Sequence, residues 1–115
     1  LAYLYQPSHP AILRLIHETV RAAHCHGIWV SVCGEMAADP RFTPLLLGLG
    51  IHELSMSPVS IGPVRRLVRR LRQSQAEAVA RAALACDNAT AAMQCAEELI
   101  HRVAPDILSL TLQGE

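Results

Sequence analysis

The stretch of this sequence best placed to do chemistry is Cys33-Gly34-Glu35. It closes a short apolar run, Ile28 to Cys33, with a thiol, a glycine and a carboxylate in succession. A thiol there has three uses. As a thiolate it is a nucleophile, which calls for a histidine partner or a lowered pKa. As a neutral thiol it donates a proton to carbon or oxygen. As a packing residue it does neither. Gly34 lets the backbone turn sharply or approach a ligand, which makes it a candidate substrate-binding position. Glu35 follows with its role open. Ser57 ends a second apolar stretch, ELSMS, and is the corresponding polar group there.

Other reactive residues read as structural. His24-Cys25-His26 could suggest zinc, but consecutive side chains on a helix end diverge, so a solvated terminus is the expectation. The cysteines are Cys25, Cys33, Cys86 and Cys95, with no C-x-x-C pair. A high apolar content and no secretion signal point to reduced thiols in a cytoplasmic protein. Cys86 and Cys95 are read as small packing residues. Asn88-Ala89-Thr90 matches a glycosylation acceptor, which has no bearing in the cytoplasm. Arg65, Arg66, Arg69, Arg70 and Arg72 could hold phosphate or RNA. With no aromatics between them, and ten basic against ten acidic residues overall, they read instead as a solvated helix face. Neither nucleic acid nor a membrane is expected as a partner. The apolar runs are too short for a span, and the first residues lack a signal peptide's charge and core.

The elements that must position Cys33 are well punctuated. Ser8-His9-Pro10 opens a helix whose Ile12, Ile16, Val20 and Ala23 recur at helical spacing, stopping at Gly27. Ile28 to Cys33 then reads as a buried strand, nearly continuously apolar as in parallel sheets covered on both faces. GEMAADP is expected to be a loop. Asp39-Pro40 or Thr43-Pro44 starts a short helix ending near Gly48 or Gly50, and Glu53 to Ser57 is a second strand. PVSIGP reads as a turn into a helix with Val64, Leu67, Val68 and Leu71 as its apolar stripe. Ser74-Gln75-Ala76-Glu77 resembles a capping box opening a helix to about Cys86. A last helix runs from Thr90 to Val103 on Ala92, Ala96, Leu99, Ile100 and Val103, and Pro105 ends it.

Helix, strand, helix, strand, helix and two tail helices make an α/β pattern of βαβ units. Two parallel strands with open edges do not make a stable sheet. With 115 residues, 51% of them hydrophobic, and an opening Leu1 rather than Met, the chain is expected to be part of a larger α/β unit. In such architectures active groups stand at the carboxyl ends of the strands, where Cys33 falls.

The phrases LYQPSHPAILRLI, HGIWVSVCGEMAADP and LLLGLGIHELSMSPVSI, followed by the Arg-rich helix, resemble the phosphoenolpyruvate-protein phosphotransferases. These are the enzyme I family of the bacterial sugar phosphotransferase system, related to pyruvate phosphate dikinase and phosphoenolpyruvate synthase. The resemblance covers residues 1–75 strongly and the tail loosely. It implies the C-terminal part of a (β/α)8 TIM barrel, incomplete alone. Residues 1–73 would be the last βα units, and 74–115 a helical extension of the same domain.

The resemblance also implies a reaction. Phosphate passes from phosphoenolpyruvate to a histidine on another domain, then to the carrier protein HPr. The enolate left behind must be protonated on carbon. That task falls to Cys33 as proton donor, with Gly34 letting substrate come close. An ordinary thiol, with a pKa near about 8.5, is mostly protonated at neutral pH yet gives its proton readily to a carbanion. Mg2+ serves the whole enzyme, but its ligands, the phosphate-binding arginines and the phosphorylated histidine would all lie before Leu1. The chain itself would supply no metal ligand, and alone it is expected to be inactive. A cytoplasmic homodimer is implied. A reading of another class is a non-catalytic remnant, an oligomerisation or interaction module.

Overall fold

A computed structural model describes residues 6–113. Residues 1–5, of which Leu4 and Tyr5 begin the first of the quoted phrases, and 114–115 lie outside the described range. The first helix, α1 (Pro10–Cys25), starts where Pro10 needs no hydrogen-bonding N–H. His9 caps it, its Nδ1 accepting from the Ala11 N–H at 3.0 Å. Gly27, at φ 66°, turns the chain out of it.

The next segment departs from expectation. Only Ser31–Val32 forms strand β1, paired in parallel with β2 (Glu53–Leu54) in a two-stranded sheet. Ser31 is level with Glu53 and Val32 with Leu54. Nor is the run buried: Ile28 is 59% and Trp29 74% exposed. Among the described residues one face is covered: Val30, Val32 and Leu54 lean on a cluster of Val20, Phe42, Leu46 and Ile51.

GEMAADP is not a loop. Residues Gly34–Ala38 form a short helix, α2. Glu35 in its first turn and the helix formers Met36, Ala37 and Ala38 favour it, and Pro40 forbids its continuation. A 3-10 turn, Pro40–Phe42, is capped by Asp39, whose carboxylate accepts from the Arg41 N–H at 3.0 Å. Helix α3 (Thr43–Gly48) follows directly, ending near Gly48 as expected.

Helix α4 (Pro58–Arg70) begins five residues before the expected point, because Pro58 is itself a good first helical residue and Pro63 is accommodated within the helix. Its Val64 and Leu67 are buried, but Val68 remains 39% exposed. Helix α5 (Gln73–Leu84) starts at Gln73. The expected capping box is displaced: Gln75 Oε1 reaches back to the Arg72 N–H at 2.9 Å, the role assigned to Glu77. Helix α6 (Ala89–Val103) is capped by Asn88, whose Oδ1 accepts from the Ala91 N–H at 2.8 Å. Pro105 ends it and also starts a helix missed in the sequence, α7 (Pro105–Gln113). A proline that cannot continue one helix is well suited to begin another.

The core is a helical layer rather than the sheet. Helix α3 packs most heavily on α5, and α5 on α6. Leu13, Leu45 and Leu49 meet the alanine faces of α5 and α6, Ala80, Ala83, Ala92 and Ala96. A second end is closed by Leu67, Ile100, Ala104 and Ile107, joining α4, α6 and α7. The buried Ser8 hydroxyl donates to the Ala89 carbonyl at 3.1 Å, tying the start of α1 to the start of α6.

Candidate active site

Cys33 is the residue immediately after β1. The ladder carries it there: the Val30 and Val32 carbonyls accept from the His52 and Ser55 N–H groups at 3.0 and 2.9 Å. The parallel register then sets Cys33 level with Ser55. The thiol is exposed and makes no capping hydrogen bond to α2, although it occupies the cap position. Gly34 follows at φ 79°, a conformation that a side chain strains, and no atom lies within 4 Å of where its Cβ would be. Thiol and turn therefore face open space together at the carboxyl end of the strand. Ser57 lies beyond the end of β2, exposed at the start of α4, its side chain also without a capping bond.

Glu35 is exposed as well, but it turns to a different surface. It lines a groove between α2 and the N-terminal half of α6, with Asp39, Arg41, Met93 and Glu97. Asp39 and Arg41 are clamped there, Nη2 to Oδ2 at 2.7 Å and Nε to both carboxylate oxygens at 3.1 Å. These charges hold the 3-10 turn in shape.

His24, His26 and His52 lie at the other end of the ladder from Cys33. His24 and His26 diverge as expected: His26 Nδ1 pairs with the Ala22 carbonyl at 2.9 Å, and His24 turns to His52, Nε2 to Nε2 at 3.0 Å. Sequence reasoning missed that pair, because parallel register alone brings residues so far apart together. The Val30 N–H donates to His52 Nδ1 at 3.1 Å, so neutral His52 carries its proton on Nε2 and donates it to His24. Trp29 stacks on His52, ring centroids 6.0 Å apart. All this lies at the amino end of the ladder, opposite the thiol. Among the described residues no three His, Cys, Asp or Glu side chains stand together as a metal site.

The Arg-rich face of α4 is exposed but partly engaged. Arg70 Nη1 contacts Asp106 Oδ1 at 2.6 Å, and Arg66 Nη1 contacts Oδ2 at 3.6 Å. The Arg70 hydrogen bond holds the Asp106 carboxyl below the usual range. Two arginines thus tether α7 rather than wait for phosphate. No helix among the described residues is long and apolar enough to cross a membrane.

A two-stranded parallel sheet set against a helical layer makes the described residues a helix-rich α/β segment. Residues 1–73 match the family model described as PEP-utilising enzyme, PEP-binding domain, and the chain belongs to that family. Within it, the chain is similar to a C-terminal segment of the phosphoenolpyruvate-protein phosphotransferases. The Staphylococcus carnosus protein of that name is 45% identical over 98 residues, 85% of this chain and 17% of the relative. The Geobacillus stearothermophilus protein is 54% identical over 76 residues, 66% of this chain and 13% of the relative. The Bacillus subtilis protein is 53% identical over 77 residues, 67% and 14% respectively. The chain thus spans less than a fifth of the length of these curated relatives.

Proposed function

We propose that the chain works as the C-terminal segment of a phosphoenolpyruvate-protein phosphotransferase, in which Cys33 protonates enolpyruvate. The observation that carries this reading is the exposed thiol at the carboxyl end of β1, beside the open turn at Gly34. Once the phosphoryl group has left phosphoenolpyruvate for a histidine elsewhere in the enzyme, the enolate carries its charge toward the methylene carbon. The Cys33 S–H gives its proton to that carbon, forming the methyl group of pyruvate. The thiolate left behind recovers a proton from water. Gly34 gives substrate room to approach.

β1 and β2 are read as the last two strands of a (β/α)8 barrel. Their parallel register and the helical crossover between them support this, as do their open outer edges. Residues 1–73 would form barrel units and 74–115 the helical extension packed on them through α5. The parent enzyme would be a cytoplasmic homodimer that passes phosphate to HPr for sugar uptake. Magnesium would assist the parent reaction, but the described residues bring no three His, Cys, Asp or Glu side chains together to hold it. On this reading the 115 residues alone turn over no phosphoenolpyruvate.

The test is Cys33→Ala in the full-length enzyme. Loss of a proton donor is expected to slow pyruvate formation by roughly 10²–10⁴-fold, with phosphoenolpyruvate still bound. Unchanged turnover in the variant would refute the assignment.

A further inference from the structure

We propose that Cys86 and Cys95 are a disulfide-forming pair, oxidised in the folded chain by a low-molecular-weight disulfide such as oxidised glutathione. Their sulfurs are 3.8 Å apart. Both are half-buried, Cys86 in the turn after α5 and Cys95 on α6. No other cysteine sulfurs among the described residues are so paired. Because Cys86 lies outside a helix, side-chain rotation and a small shift of the turn can bring the sulfurs to the roughly 2.05 Å of a bond.

The pair is reachable. Cys95 lines a shallow groove between α5 and α6, with Gln75, Ala78, Ala82, Glu98 and Arg102. Cys86 points its thiol at the Ala82 carbonyl, 3.3 Å away, on the same side of the hairpin. Burial, then the contact with Cys86, pushes the Cys95 thiol up, so Cys95 holds its proton more tightly. Cys86, in the turn rather than on a helix, has the freedom to swing its sulfur outward and is the entering nucleophile.

The exchange balances. The Cys86 thiolate attacks one sulfur of the small disulfide, forming a mixed disulfide and releasing one small thiolate. Cys95 then loses its proton and attacks the Cys86 sulfur, releasing the second. The protein pair gives up two protons and two electrons, and the small disulfide becomes two thiols. The bridge closes the α5–α6 turn and fixes the hairpin on which α3 rests.

The test is peptide mapping of the folded chain after incubation with oxidised glutathione, acid quench and alkylation. The expected product is a Cys86–Cys95 cross-linked peptide, lighter by two hydrogens, with Cys25 and Cys33 carrying glutathione or alkyl groups. Cys95→Ser should instead hold glutathione on Cys86. The oxidised chain should melt about 10 °C higher than the reduced one, a rise absent from Cys86→Ser. Alkylation of Cys86 and Cys95 to the same extent as Cys25 and Cys33, or glutathione retained on either without a cross-link, would overturn the proposal. Both outcomes are read on the unsubstituted protein, so a folding defect in a variant cannot obscure them.

Discussion

Gly48→Ala is the sharpest probe of the helical layer. Gly48 is the last residue of α3, where that helix comes closest to α5. A Cβ there would stand 2.6 Å from the Ala76 carbonyl carbon and 2.7 Å from the Ala80 Cβ, and closer still to the Ala76 oxygen. Carbon atoms in contact prefer about 3.5–4.0 Å, so α5 must withdraw by about 1 Å. Two of the three obstructing atoms are backbone, and alanine has no rotamer that relieves the overlap. Retreat of α5 also loosens Ala80 and Ala83 from Leu45 and Leu49. Overpacking of this kind costs roughly 1–3 kcal/mol, and a backbone wall places it near the top of that range. The better helix propensity of alanine returns less than about 1 kcal/mol at a terminal position. The net loss is then about 2 kcal/mol, a fall in melting temperature of roughly 10 °C for a domain this size. Circular dichroism melts and urea titrations of both proteins measure it. Gly62→Ala is the control, since nothing lies within 4 Å of its Cβ position. The preceding-proline restriction offsets its propensity gain, leaving a change within about 0.5 kcal/mol. A Gly48→Ala chain that melts with the wild type, at an unchanged urea slope, would refute the close-packing argument.

Other perturbations test other parts. Gly34→Ala forces a side chain into φ 79°, at a cost of about 1–2 kcal/mol, and should lower the urea midpoint accordingly. Asn88→Ala removes the cap of α6 and should destabilise by about 1 kcal/mol in the same titration. The Asp106 carboxyl is depressed in the fold, chiefly by its hydrogen bond from Arg70. Its stabilisation is therefore complete above the unfolded carboxylate pKa and is lost as pH falls through the folded value. Melts taken across the acid range should show this loss, smaller in high salt and absent from Asp106→Asn.

Helix positions were legible because alternate signals agreed. Pro10 and Gly27 mark boundaries in the chain as they do in the fold, and Ala92, Ala96, Leu99 and Ile100 face the core as their spacing requires. The misreadings share a physical cause. Pro58 and Pro105 read as turn and stop signals in the sequence, whereas each is the first residue of a helix. GEMAADP reads as a loop in the sequence, whereas Gly34 supplies a single sharp turn and the residues after it are strong helix formers. The apolar run before Cys33 has the composition of a strand covered on both faces. The described residues cover one, and Ile28 and Trp29 stand exposed.

The two interesting thiols separate on environment rather than on sequence. Cys33 follows an apolar run and Cys95 sits in an alanine-rich helix, and by composition either could be core. The fold sorts them. Cys33 hangs just beyond the last bond of the ladder, its backbone held by Val32 and the cluster beneath, its sulfur side open. Cys95 is half-desolvated against α5, with another sulfur as neighbour. A proton donor to carbon needs the first environment: a backbone fixed from one side and room for substrate on the other. A thiol that exchanges with a partner needs the second. On the proposed reading, then, the open space beside Cys33 and Gly34 is a requirement of the chemistry. Filling it with side chains of this segment would leave Cys33 protonated and well held, but with no place for an enolate to meet it.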